Sequence, residues 1–513
     1  MLGMFLLALL PIVWLVIALC VLHMEAYKAC IGAALVALVC ALFGWQMTPI
    51  NAATAALEGF EMALWPIGIV IIAAVFTYNL TVHTGAMDTI KQMIVSVSSD
   101  KRVLVLLIGW CFGGFLEGMA GFGTAVAIPA SMLVGLGFNP VNAILVCLLA
   151  NGTPTMFGSI GIPTTTLAGI TGLSSSSLAL TQSLQVLPFV IICPFLMVMV
   201  VGGGVKGLKG MVPTILVSGL SFAIPEVLTA AFIGADLPVI VGSVCSLVCT
   251  FLFALKNHDK AVPEEYHMEA VSTEHAHLHA AEALRAWSPF ILIFVVLLLT
   301  SKLFPLIHDP LASIASKVNV YAGDPSTSLT FTWIDTPGVL IMLCGIVGGC
   351  IQHCKPREML QVLGQTCKQM SKTIVTMLGV LACAKIMGYS GMIASIATFF
   401  VGTLGSYYPL VAPLLGAVGT FVTGSGTSSE VLFGNVQVQA AQSIGVDPTW
   451  LAAANSLGTS AGKMLAPQSI AIGTSACGMN GKDGEVLGRV FPYAVGFVVV
   501  MAVIVFAGTV LGL

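Results

Sequence analysis

The chain of 513 residues is 58% hydrophobic, only 8% charged, and carries a net charge of −3. That balance excludes a nucleic-acid binder, and long apolar runs without a two-residue alternation exclude a β-barrel. What remains is an all-α polytopic membrane protein.

In chain order, helices are predicted near 2–24 and 29–46, then a short amphipathic piece around 52–61. A span follows at 62–82 and a polar junction at 83–102. The next stretch divides into a span or re-entrant hairpin (103–137) and a broken helix (141–172). Further spans are predicted near 185–204, 212–232 and 237–255, then a soluble loop from 256 to 287, a span at 288–304 and a loop to 335. The second half resumes with spans near 336–352, 373–388 and 392–405, a hairpin at 409–433, a broken helix at 450–477 and a last helix at 490–512. The total is about 12 to 14 crossings. The first helix lacks a basic leader and reads as an uncleaved span. Most cysteines, such as Cys147, Cys193, Cys245 and Cys249, sit singly in apolar runs and read as small hydrophobes. In the soluble loop, alternating His275, His277 and His279 read as a solvated connector rather than a metal site.

One stretch organises the rest. Between Arg102 and Lys206 the only charged residue is Glu117. An ionisable group at membrane depth is costly, so it marks a functional site by default. Around it lie two interruptions, Gly118–Thr124 and Asn151-Gly152-Thr153-Pro154. Broken backbone at that depth leaves amides and carbonyls unpaired unless it lines a cavity enclosed by protein.

An internal repeat strengthens this reading. One offset places Thr84-Gly85 on Ser390-Gly391 and Phe115-Leu116-Glu117-Gly118 on Phe421-Val422-Thr423-Gly424. Small indels later, Asn139-Pro140 meets Asp447-Pro448, and Asn151, Gly158 and Pro163 meet Asn455, Gly462 and Pro467 with equal spacings. Duplicated halves with paired broken segments fit a secondary transporter whose site lies at the repeat interface. An odd number of crossings per unit would make the halves inverted.

The second copy has its own polar set, Thr423 to Glu430, and Lys463 is the only charge between Asp447 and Lys482. A substrate carboxylate could rest on helix N-terminal amides and the Lys463 ammonium. Thr124, Asn151, Ser425, Thr427, Ser428 and Asn455 offer hydroxyl and amide groups to a small hydroxylated acid, with Gly121, Gly123, Thr153 and Gln468 in the same broken segments. Glu117 is the candidate proton carrier. His83 and Asp88, at a helix end, are candidates for a proton path, against the plainer reading of a solvated junction. Other plain readings stay open: Glu117 and Lys463 could pair structurally, the glycines could serve helix packing, and Lys385 could snorkel to the interface or reach the cavity. Glu226 and Asp236 flank Pro-containing turns and read as loop residues.

These residues resemble the bacterial L-lactate permeases. The likeness is carried by FLEGMAGFGTAVAI (115–128), LVGLGFNP (133–140), FGSIGIP (157–163), SFAIPEVLTAAFIGADLP (221–238), FVTGSGTSS (421–429) and LAAANSLGTSAGKMLAPQSIAIGTSA (451–476). It extends over nearly the whole chain. Gly426 and Glu430 depart from the family pattern, which usually has Asp at the former and a small or polar residue at the latter. The resemblance implies a multi-pass protein of the bacterial inner membrane that imports lactate, and glycolate or related 2-hydroxy acids, by proton symport. It implies no cofactor and no enzymatic activity. The expected partners are lactate, glycolate, protons and the lipid bilayer, with no nucleic acid, and a homo-oligomer is left open. The rivals are a sodium-coupled or exchanging carboxylate carrier and an intramembrane enzyme. The expected division is N-terminal helices and connector (1–61), first transport repeat (62–172), connecting helices and loop (173–335), second repeat (336–477) and C-terminal helix (478–513).

Overall fold

The computed structural model describes residues 2–22, 24–95, 97–121, 123–257, 262–268, 280–301, 303–324, 328–479 and 482–512. Among these, eleven helices are long and apolar enough to cross a membrane, and the pair Pro140–Gly152 and Thr155–Thr171, bent by 63°, makes a twelfth. The chain is an all-α polytopic membrane protein, as its composition requires. The histidines at 275, 277 and 279 lie outside the described residues.

Several elements differ from the sequence-based expectation for definable reasons. The amphipathic piece and the following span form one bent crossing, Pro49–His83, with the bend at Trp65 and Pro66. The expected span at 373–388 is the inner part of a 35-residue helix, Pro356–Ser390. Its polar first half escapes a hydropathy reading, yet Pro356 opens it and Glu358 Oε2 accepts the Lys355 N–H at 3.3 Å, a good start signal. The helix expected from 288 begins at Ala280, with Glu282 in its first turn. Within the expected loop before 335, Ala315–Val318 pairs antiparallel with Leu329–Thr332 as a small β-ribbon. Glu226 is not a loop residue. It lies inside helix Val212–Phe232 and is almost fully buried, because Pro225 is absorbed within a helix packed on its neighbours.

The repeat is visible in the order and packing of the elements. The hairpin Lys101–Met119/Thr124–Gly135 corresponds to Ala412–Thr423/Gly426–Ile444. The broken pair Pro140–Gly152/Gly158–Thr171 corresponds to Pro448–Leu465/Pro467–Ala476. A long helix closes each copy, Ser175–Val201 and Asp483–Leu511. Packing between copies is reciprocal. Thr124–Gly135 of the first lies against Pro467–Ala476 of the second, and Gly426–Ile444 of the second lies against Gly158–Thr171 of the first. Pro140–Gly152 and Pro448–Leu465 meet each other. A buried polar chain ties the copies: Thr164 Oγ1 donates to Gln182 Oε1 at 2.7 Å, and Gln182 Nε2 donates to Ser456 Oγ at 2.6 Å. This crossing brings all the interrupted segments to one central place.

Candidate functional site

The first hairpin turns at Ala120–Gly123. Gly121 has φ +60, and a β-carbon there would lie 2.3 Å from Ser159 Oγ, so the turn needs glycine on both counts. Thr124 Oγ1 donates to Gly121 O at 2.8 Å and Ser159 Oγ to Ala120 O at 2.8 Å, which satisfies carbonyls the break frees. In the first broken pair, Ser159, Ile160 and Gly161 turn left-handed in succession. Two are not glycine, and such backbone costs about 1–3 kcal/mol at each of them, a strain that clusters at functional sites. In the second copy, Gly424 ends helix Ala412–Thr423 with φ +70, and Ser425 caps the next helix, its Oγ accepting the Ser428 N–H at 3.3 Å. The second broken pair parts at Ala466, before Pro467.

The two breaks are not equivalent. In the first copy the interruption precedes Gly158 and runs to Gly161. In the second, the matching Gly462 lies within the helix, which ends three residues later at Leu465. That extra turn carries Lys463 to the end of its helix, where its Nζ donates to Gly424 O at 3.0 Å.

These tips wall a partly open cavity of about 730 Å³. Glu117, Gly123, Ser425, Thr427, Lys463 and Gln468 line it, all singled out by the sequence. Glu117 Oε2 is buried without a hydrogen-bond partner, and among the described residues no ion pair within 4.0 Å joins Glu117 to Lys463. A carboxyl group and an ammonium group therefore face one space without pairing by contact.

Other expected residues stand elsewhere. Thr153 Oγ1 donates to Ala150 O at 3.2 Å, and Thr124 and Gly121 bond each other, so these serve the turns. Ser428 is buried behind its own helix start. Asn455 Nδ2 donates to Glu430 Oε2 at 2.9 Å, and its Oδ1 accepts from Gln437 Nε2 at 3.3 Å, which commits it to an interior network. Its repeat counterpart Asn151 is buried with neither amide atom bonded. His83 is exposed at the end of its helix, and Asp88 is exposed and paired with Lys91 at 3.1 Å, so neither reaches the cavity. Lys385 neither snorkels nor reaches the cavity. It pairs with buried Glu58 at 2.7 Å, and Tyr389 donates to the same Oε1 at 2.8 Å.

The cavity also has walls that sequence reasoning missed. Thr155, Gly158 and Ser159 come from the first break, where the repeat marks Gly158 but gives none of the three a place in the site. Glu25, Tyr27 and Lys372 stand toward the opening, and Lys372 Nζ pairs with Glu25 Oε1. Nothing local in the sequence marks that meeting.

The model of the L-lactate permease family matches residues 4–512. The chain belongs to the L-lactate permease family. It is similar to the L-lactate permease of Streptococcus iniae, 42% identical over 87% of this chain and 93% of that one. The glycolate permease of Escherichia coli strain K12 is 34% identical over 98% of this chain and 96% of that one. The solved structure of the Alcanivorax borkumensis YdaH transporter aligns over 89% of this chain and 88% of its own, with a TM-score of 0.48 and 16% identity. This permease is thus a multi-pass protein of the bacterial inner membrane, and its relatives are named as permeases. Behind the cavity the permease holds Glu430, fully buried, with Oε1 unbonded and Asn455 as the donor to Oε2.

Proposed function

We propose that the protein imports lactate, glycolate and related small 2-hydroxy acids by proton symport. Lys463 holds the substrate carboxylate, aided by the amide-rich start of helix Gly426–Ile444 beside Ser425, where the helix dipole favours an anion. Ser425, Thr427, Gln468 and Ser159 offer hydrogen bonds to the substrate's hydroxyl. Glu117 carries the coupled proton, taking it on one side of the membrane and releasing it on the other. The observation that carries this reading is the placement of Glu117 and Lys463 on the broken tips of opposite copies, facing one cavity with no ion pair between them. A structural bridge would have joined them.

Family membership and the names of the relatives support the solute class. The experiment is uptake of labelled lactate and glycolate into proteoliposomes, with an imposed pH gradient compared with an imposed sodium gradient. Accumulation driven by acid outside alone is the expected result. Accumulation that needs sodium would replace the proton with a sodium ion, and equal uptake with neither gradient would leave an exchanger.

A further inference from the structure

Outside the cavity, the end of crossing Pro49–His83 meets the turn that opens helix Pro356–Ser390. Phe76 and Leu80 of the first pack with Cys354, Met359 and Val362 of the second. Thr84 Oγ1 donates to Gln352 Oε1 at 2.7 Å, and Gln352 Nε2 donates to Ala286 O at 3.1 Å, so this junction is held on three sides. On that frame a ring nitrogen of His83, the thiol sulfur of Cys354 and a carboxylate oxygen of Glu358 all lie within 4.8 Å of one another.

We propose that His83, Cys354 and Glu358 form a binding site for a thiophilic divalent cation, Zn²⁺ foremost, which clasps the end of the first-copy crossing to the start of the second-copy helix. The donor set argues for the ion. Thiolate with imidazole suits zinc, cobalt or cadmium, whereas magnesium and calcium seek oxygens alone. The distances agree. Cys354 Sγ lies 3.7 Å from Glu358 Oε2, and a tetrahedral zinc with bonds of about 2.3 Å to sulfur and about 2.0 Å to oxygen would space them by roughly 3.5 Å. Three protein ligands leave a fourth position for water. One thiolate and one carboxylate also balance the ion's charge. The same Oε2 accepts the Lys355 N–H, and its second lone pair lets it keep that cap while it binds metal. Lys355 Nζ, 3.9 Å from Glu358 Oε1, is a mostly exposed side chain free to swing away.

A cysteine binds zinc as the thiolate, so the thiol must give up its proton. Zinc displaces it. Binding therefore releases a proton and weakens as pH falls.

The test uses the full-length protein without an affinity tag, kept reduced, stripped of metal, and with His258, His267, His275, His277 and His279 replaced by alanine so that the loop offers no imidazole. Cobalt(II) is titrated as a spectroscopic probe and then displaced by zinc. One equivalent per chain, with thiolate-to-cobalt charge-transfer absorption and proton release, is expected. Cys354→Ser should abolish that absorption, and His83→Gln and Glu358→Gln should each weaken binding at least ~10-fold. His83 is exposed, so its variant folds and decides the matter alone. No binding by the parent protein, unchanged affinity in His83→Gln, or an unchanged spectrum in Cys354→Ser overturns the site.

Discussion

Gly158 approaches Glu117 so closely that a β-carbon on it would lie 2.7 Å from Glu117 Oε1. The atom in the way is the tip of a flexible side chain rather than backbone, so Gly158→Ala should re-aim the carboxylate and leave the fold intact. The expected outcome is near-normal thermal stability with impaired gradient-driven uptake. Unfolding of the variant would show that the close approach serves packing instead.

Glu117→Gln keeps the size of the side chain and removes its exchangeable proton. Accumulation driven by a pH gradient should be lost, while exchange of labelled for unlabelled lactate across the membrane continues. Full gradient-driven uptake by the variant would remove Glu117 as proton carrier.

Lys463→Met should raise the KM for lactate by about 10-fold or more, since hydrogen bonds to charged groups contribute about 1.5–3 kcal/mol. Expression and thermal stability should change much less, because among the described residues the protein bond lost is that to Gly424 O. Direct binding, measured by substrate-induced thermal shift, separates the two effects.

Lys385→Met leaves Glu58 buried beside Tyr389 without its cation. Breaking a buried pair costs about 3–5 kcal/mol, so a marked fall in the unfolding temperature is expected. The double variant Glu58→Gln/Lys385→Met should recover much of that loss. Equal instability of the single and double variants would contradict it.

At the cavity opening, the Lys372 ammonium beside Glu25 holds its carboxyl down at about 2, against an ordinary value of 4.5. A carboxyl lowered on folding contributes above its ordinary value and loses that contribution as pH falls through the lowered one. The pair's contribution to stability is therefore lost between about pH 4.5 and about pH 2, below any working range. Glu25→Gln should change the rate of uptake without moving the midpoint of its profile between about pH 5 and 8. A shifted midpoint would place a coupling group at the opening.

Much of this was legible in the sequence because the membrane makes anomalies costly. A lone Glu117 and a lone Lys463 in apolar surroundings stand out, and both line the cavity. The duplicated Asn-to-Pro spacing located the breaks to within a few residues. Less legible was how each polar side chain would be used. Asn151 and Asn455 are equivalent in sequence, yet one is bonded into an interior network and the other is not, and only the packing of helix Gly426–Ile444 decides this. Glu226 was misread because a neighbouring proline marks a turn in water but not within a packed membrane helix. The Glu25–Lys372 and Glu58–Lys385 pairs join residues hundreds of positions apart. No local pattern encodes them.

The unequal breaks on either side of the Gly158–Gly462 match bear on handedness. Walls related by a true twofold axis would accept a small acid in two interchangeable poses of equal energy. Here one wall is a left-handed turn and the other a helix end with an ammonium group. Carboxylate, hydroxyl and methyl of a 2-hydroxy acid then meet unlike surroundings, and the two enantiomers cannot fill them equally. Competition of each enantiomer against labelled glycolate, which has no hand of its own, measures that asymmetry directly.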